Sequence, residues 1–190
     1  MFNSATSALI LVDYQTRLLP SIYKGEAAVD EALFLAKLTR VLDIPIFGTE
    51  QNPEGLGPND QRIRDCCDQT LLKFSFDGTE SGLLDLIQKV NSQTNQVVLA
   101  GCETHVCLMQ TALSLREKGF EVAVIPQACG SRSLSDKMLA IERMQQQGIS
   151  MLSTEMIIFE WLKTSKHPQF KNILQLIKNR DLQDSKINLL

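Results

Sequence analysis

The chain alternates unbroken apolar runs with longer stretches in which apolar residues recur every three or four positions. Ala8-Leu-Ile-Leu-Val12 is apolar throughout and predicts a strand buried on both faces. Residues 26–42 carry helical spacing through Val29, Leu33, Leu35, Ala36, Leu38 and Leu42. Residues 44–48 predict a second strand, with Pro45 near its start, where a missing N–H is tolerated. Residues 49–57 are rich in Gly, Pro and Asn and read as a loop. Residues 71–76 predict a third strand or extended segment. Residues 77–82 then turn into a helix through Leu83, Leu84, Leu86, Ile87 and Val90. Residues 97–100 predict a fourth strand, and 107–118 its helix, closed by Gly119 as a C-cap. A fifth strand is expected over 121–126, a helix over 133–147 ended by Gly148, and a sixth strand over 149–152. Helices over 154–162 and 168–179 complete the pattern, and 181–190 reads as a tail that is loose or docks on a neighbour.

Strands that alternate with helices predict an α/β fold. The expectation is a three-layer α/β/α Rossmann-like arrangement around a central, mostly parallel six-stranded sheet, forming a single domain over 1–180. Right-handed crossovers put every strand's C-terminal end on one edge, and ligands bind at that edge near the switch in strand order. Asp13-Tyr-Gln-Thr-Arg17 follows the first strand in place of a glycine-rich dinucleotide fingerprint, which argues against a Rossmann-type dehydrogenase.

The 190 residues suit one domain with a substantial core, and a charged fraction of 22% with 44% hydrophobic residues is ordinary for a globular protein. A net charge of -3 without a basic stripe gives nucleic-acid binding no electrostatic support. No apolar run reaches membrane-spanning length. The 5 Cys contain no Cys-x-x-Cys pair, and the N-terminus carries no signal-peptide pattern; a reducing, cytoplasmic setting with free thiols is expected. With only His105 and His167, a histidine-rich zinc site is excluded by count. His167, in Lys166-His-Pro168, reads as the exposed start of a terminal helix.

Chemistry concentrates at Gln96-Val-Val-Leu-Ala-Gly101-Cys-Glu-Thr-His-Val-Cys107. Cys107 sits where a strand hands over to a helix. The first amides of a helix lack intrahelical acceptors and the helix dipole makes that end electropositive. A thiol there is expected to be pushed toward thiolate, and the free N–H groups to hold an oxyanion. Buried cysteine also serves as plain filling, so Cys107 needs partners to count as a nucleophile. Two other candidates fall at or near C-terminal strand ends: Asp13 after the first strand and Lys73 in the third.

Together these residues resemble the Asp-Lys-Cys triad of the isochorismatase-like cysteine hydrolases. The matching segments are Ile10-Leu-Val-Asp13-Tyr-Gln15, Leu72-Lys73, Gly101-Cys-Glu-Thr-His-Val-Cys107 and Pro126-Gln-Ala-Cys-Gly-Ser-Arg-Ser133. Thr49-Glu-Gln-Asn-Pro-Glu-Gly-Leu-Gly57 and Lys166-His-Pro-Gln-Phe170 resemble the isochorismatase domain-containing branch most closely. The resemblance runs from about residue 7 to the 170s.

The resemblance implies that Cys107 attacks an electrophilic carbon, giving a thioester-like intermediate. Asp13 would take the thiol proton, pass it to the leaving group and then activate water. Lys73 would orient Asp13 and favour its charged form. It further implies a cis peptide at Cys102–Glu103 that aims the Glu103 N–H, with that of Cys107, at one oxyanion. Gln15, Leu19, Gln51, Phe74 and Thr104 are candidate substrate-binding residues; loop bonding or ordinary packing is the competing reading of each. Phe76 is a further candidate for the apolar wall. His105 is expected at the pocket rim or an interface, and Cys66, Cys67, Cys102 and Cys129 read as structural.

Two departures narrow the chemistry. The nicotinamidase branch carries an Asp-x-His metal site after the second strand, where this chain has Thr49-Glu-Gln-Asn-Pro53. No metal or other cofactor is therefore implied. True isochorismatase has glycine at the position of Cys107. The expectation is a hydrolase cleaving a small-molecule amide or related C–N bond, assembled as a homo-oligomer. An esterase or thioesterase on the same triad, and a binding protein on a degenerate hydrolase fold, are the alternatives. The apolar segment 157–162 either serves self-association or packs on the sheet.

Overall fold

A computed structural model describes residues 1–187, with side chains through Arg180. The strands are β1 (Ser7–Val12), β2 (Ile46–Gln51), β3 (Gln69–Lys73), β4 (Gln96–Gly101), β5 (Glu121–Val124) and β6 (Ser150–Met151). They form one sheet in the order β3-β2-β1-β4-β5-β6. Every neighbouring pair is parallel, so the expected mostly parallel sheet is parallel throughout. The longer helices are α1 (Gly25–Val41), α4 (Leu83–Val90), α5 (Met109–Glu117), α6 (Leu134–Gln146), α7 (Thr154–Leu162) and α8 (Phe170–Ile187); the short turns α2 (Pro53–Leu56) and α3 (Gln61–Arg64) lie between β2 and β3.

The unbroken apolar strands are explained by two cores. Leu9 and Leu11 of β1, with Val98 and Ala100 of β4, face a cluster that includes Val29 and Leu35 of α1, Trp161 of α7 and Ile173 of α8. Ala8, Ile10 and Val12, with Val97 and Leu99, face the opposite cluster with Leu83 and Ile87 of α4, Leu115 of α5 and Met144 of α6. Side chains alternate across a strand, so a strand covered on both faces must be apolar at every position. Each fully buried Leu or Ile contributes about 1.5–3 kcal/mol. The result is the three-layer α/β/α arrangement.

Segment 157–162 lies within this core: Ile157, Ile158, Trp161 and Leu162 are buried, and Trp161 Nε1 donates to Ser7 Oγ at 3.0 Å. Packing on the sheet is therefore what the segment does. Leu19, expected near the substrate, packs against the α1-side core instead.

β3 is shifted from the expected 71–76 to Gln69–Lys73 and β5 stops at Val124, and three further boundaries differ from the sequence reading. β2 continues through Thr49, Glu50 and Gln51, where composition argues for a loop, because all three polar side chains are buried with partners: Thr49 and Gln51 at the site described below, and Glu50 Oε1 accepting from the Asn59 N–H at 2.9 Å. The helix after β4 starts with a π-helical turn over Thr104–Leu108, upstream of Cys107. Residues 181–187, expected in a loose tail, continue α8; the last three positions lie outside the described residues.

β1 and β4 are adjacent at the centre of the sheet, where the strand order reverses. The crevice past their C-terminal ends is the switch point at which such folds bind ligands. Gly101 closes β4 with φ 152°, and a Cβ there would lie 2.2 Å from the Val12 carbonyl oxygen. Only glycine lets the two strand ends approach this closely.

Candidate active site

Asp13 is the first residue past β1, held at φ 52° with its N–H donating to the Thr49 carbonyl at 3.2 Å. Its carboxylate is fully buried and doubly held. Thr49 Oγ1 donates to Oδ1 at 2.6 Å, and Lys73 Nζ donates to Oδ2 at 2.8 Å. Lys73 is the last residue of β3, in register with Gln51 of β2. Its stem runs beneath the end of β2, and Nζ also donates to Gln51 Oε1 at 2.9 Å. The carbonyls of Ser75 and Phe76 lie further off, at 3.4 and 3.5 Å. An ammonium taken out of water needs this partnering, because a buried unpaired charge is costly.

Cys107 lies in the π-helical turn, in which the Leu108 N–H reaches back to the Glu103 carbonyl at 3.3 Å. Such turns concentrate at functional sites. The residue is buried, at 6% exposure. Burial pushes its thiol up to about 12; the Asp13 charge pushes the same way and Lys73 opposes it. Both charges bear on the thiol, in opposite senses. Burial and the neighbouring carboxylate thus work against the resting thiolate expected from the helix start. Burial also raises the thiols of Cys66, Cys67, Cys102 and Cys129.

The peptide between Cys102 and Glu103 is cis. The Glu103 N–H has no acceptor among the described residues, whereas the next N–H, of Thr104, donates to the Gly130 carbonyl at 2.8 Å.

The fold thus brings together Asp13, Lys73, Cys107 and Gln51. It uses the other candidates differently. Gln15 is a buried brace whose Nε2 donates to the carbonyls of Gln51 and Gly57 and whose Oε1 accepts from the Gln51 N–H at 2.9 Å. Thr104 Oγ1 is bonded to the Gly130 carbonyl at 3.0 Å. Phe74 offers its carbonyl to Gln51 Nε2 at 2.7 Å, while the residue is 74% exposed. His105 pairs with Ser131 and lines a cavity of about 180 Å³ with Met109, Asp136, Leu139, Ala140 and Arg143. Thr49 was not among the candidates. Its signal was a polar residue directly after the Ile46-Phe47-Gly48 run, which reads equally well as the start of a loop.

The Isochorismatase domain family matches residues 7–156. The chain belongs to this family. Mouse isochorismatase domain-containing protein 2A is 37% identical over 176 residues, covering 91% of this chain and 83% of the mouse protein. A Caenorhabditis elegans structure described as MAR1 ribonuclease superposes with a TM-score of 0.84 at 30% identity, covering 93% of this chain and 91% of that one. An octameric Escherichia coli hydrolase of unknown specificity shares the fold, with a TM-score of 0.85 at 22% identity over 100% of this chain and 97% of its own. Members of this isochorismatase-like family are generally hydrolases, and the sheet edge carrying Asp13, Lys73 and Cys107 is where their fold places a ligand.

Proposed function

We propose that this isochorismatase-family chain is a cysteine hydrolase acting on a small-molecule amide or related C–N bond. The observation that carries the reading is the buried Asp13 carboxylate, fixed by Lys73 and Thr49 and acting on the thiol of Cys107. A neutral thiol next to a fixed carboxylate is a nucleophile paired with its base.

The S–H proton passes to Asp13 as sulfur attacks the carbonyl carbon. Negative charge collects on the carbonyl oxygen, and the Glu103 and Cys107 N–H groups face it. Collapse of the tetrahedral species breaks the C–N bond, and the proton on Asp13 leaves with the amine. Asp13 then takes a proton from water, the hydroxide attacks the thioester, and the thiolate recovers a proton as the acid departs. Lys73 keeps Asp13 oriented through both halves and offsets the charge on sulfur.

The reading is tested by hydrolysis across a panel of small amides, ureas and esters, with Cys107→Ala as the control. Turnover of amides or ureas lost in the folded Ala variant supports it. Turnover confined to esters moves the assignment to the esterase alternative, and undiminished turnover by Cys107→Ala overturns the covalent route. The nuclease description of the nematode neighbour gains no support from a net charge of -3, since phosphate-backbone binding rests on Lys and Arg.

We further propose a cytoplasmic homo-oligomer. Among the described residues no helix is long and apolar enough to cross a membrane. Leu72, Phe74 and Phe76 beside Lys73, and Leu134, Met138 and Leu139 on α6, are exposed in the single chain. Sedimentation analysis decides the assembly state.

A further inference from the structure

The loop after β5 runs beside the segment leading into Cys107, and the two are joined residue by residue. The Gly130 N–H donates to the Gly101 carbonyl at 3.1 Å, and the Gly130 carbonyl accepts from Thr104 N and Oγ1 at 2.8 and 3.0 Å. Ser131 Oγ pairs with His105 Nδ1 at 3.0 Å. Arg132 donates twice to one oxygen, Glu103 Oε2, through its backbone N–H and its Nε, both at 3.0 Å. The approach is close: a Cβ on Gly130 would lie 2.5 Å from Ile22 Cγ2 and 3.2 Å from Cys102 Sγ.

The third pairing differs in kind from the other two. The bonds of Thr104 and His105 would steady any packed loop. Glu103 is a buried carboxylate in the residue whose N–H is offered to the oxyanion, and a bare negative charge there opposes the charge that develops in the reaction. Arg132 meets it with a cation and two aligned donors. The Arg132 side chain is itself 64% exposed, whereas Glu103 is buried.

We propose that Arg132 is a positioning residue for the hydrolysis: by gripping Glu103 Oε2 it fixes the Glu103 N–H for the oxyanion and cancels the carboxylate's charge beside it. The proposal rests on the reading of Cys107 as nucleophile. It assigns Arg132 no contact with substrate, so its effect must appear with an uncharged substrate too.

The test uses p-nitrophenyl acetate, a neutral acyl donor, with the rate of acyl transfer, KM and the thermal midpoint recorded for each variant. Arg132→Met, assayed well below its own thermal midpoint, is expected to slow acyl transfer by about tenfold or more with KM unchanged. The double variant Arg132→Met/Glu103→Gln is expected to recover most of that loss. The uncompensated charge is gone, and the carboxamide oxygen still accepts from the backbone N–H of position 132. A purely structural role would move the midpoint but leave the rate of the folded variant, read well below that midpoint, as in wild type. The proposal is overturned if Arg132→Met is as fast as wild type, if it raises KM alone, or if the double variant is no faster than the single. A wild type no faster than Cys107→Ala on this ester and on every amide and urea of the panel overturns the nucleophile reading, and this proposal with it.

Discussion

Lys73 Nζ lies 2.8 Å from Asp13 Oδ2, and neither side chain reaches solvent. The pair spans two strand spacings, from the end of β3 past β2 to the end of β1. Asp13→Asn keeps the shape and tolerates the left-handed backbone at φ 52°. It is expected to cost at least about a hundredfold in rate, the scale of losing a general base. Lys73→Met is expected to be comparably severe. The three residues act as a unit, so the double variant should lose little more than the worse single one. Kinetics on both singles and the double check this; strictly multiplicative losses would contradict it.

The same pair predicts an unequal pattern in stability. Removing Lys73 alone strands a buried carboxylate and is expected to cost about 3–5 kcal/mol, whereas removing both charges together costs less than that single change. Urea unfolding of Lys73→Met and of Asp13→Asn/Lys73→Met measures the difference. A double variant less stable than Lys73→Met would show that the pair itself is strongly stabilising.

Alkylation separates a resting thiolate from a base-activated thiol. With its thiol pushed up to about 12, Cys107 is protonated at neutral pH. Its labelling by iodoacetamide should then be slow at neutrality and rise about tenfold per pH unit, following the thiolate fraction. Peptide mapping by mass spectrometry reads each cysteine separately. A rate that is fast and flat across about pH 6 to 9 would restore the helix-start thiolate expected from sequence.

Burial separates the sequence reading of Cys107 from its place in the fold. The strand-to-helix position of Cys107 was legible, and so were Asp13 and Lys73, since each is a chemical residue at or near the end of an apolar run. Burial was not legible. It depends on Lys73 and Asp13 meeting across β2, sixty positions apart in the chain, and on Thr49 to Gln51 extending that strand. The sheet was legible because β1 and β4 are apolar at every position, a pattern with one physical solution. Gln15 and Thr104 are bonded to backbone, and a side-chain amide or hydroxyl near a strand end looks the same in sequence whether it meets substrate or backbone. Only their hydrogen-bond partners separate the two roles.

The buried thiols also set a pH limit on the fold. An ordinary thiol ionises near 9.0, while Cys107 and Cys129 are raised to about 12 and about 11. Between these values the folded chain binds more protons than the unfolded one, so stability falls as pH rises. Each thiol contributes a loss of up to about 1.4 kcal/mol per pH unit in that window. Unfolding free energy should therefore decline from about pH 9 upward, and Cys129→Ala should lessen the slope. A flat profile to about pH 11 would show that the thiols ionise alike in both states.

Chelator treatment tests the metal-free reading of the end of β2. The side chains there are committed to other work: Thr49 to Asp13, Gln51 to Lys73 and the Phe74 carbonyl. None is a histidine or cysteine. Dialysis against EDTA is expected to leave hydrolysis unchanged, and added zinc to give no gain. Inactivation by EDTA with recovery on zinc would overturn the assignment.

Thr49 supplies the second hold on the base. Its hydroxyl donates to Asp13 Oδ1 at 2.6 Å, so the carboxylate is pinned from one side by Thr49 and from the other by Lys73. Thr49→Val keeps the β-branched shape that suits a buried strand and removes only the donor. Left with Lys73 alone, the carboxylate can rotate about its own axis and present the wrong oxygen to the thiol. The expected loss in kcat is about tenfold, smaller than for Asp13→Asn because the base itself remains. KM should change little, since the hydroxyl is spent on Asp13. Thr49→Ser restores the donor and should restore most of the rate, although it removes a buried methyl. Steady-state kinetics on the two variants decide between the donor and the packing. If Ser falls as far as Val, the methyl group matters and the hydroxyl does not hold the base.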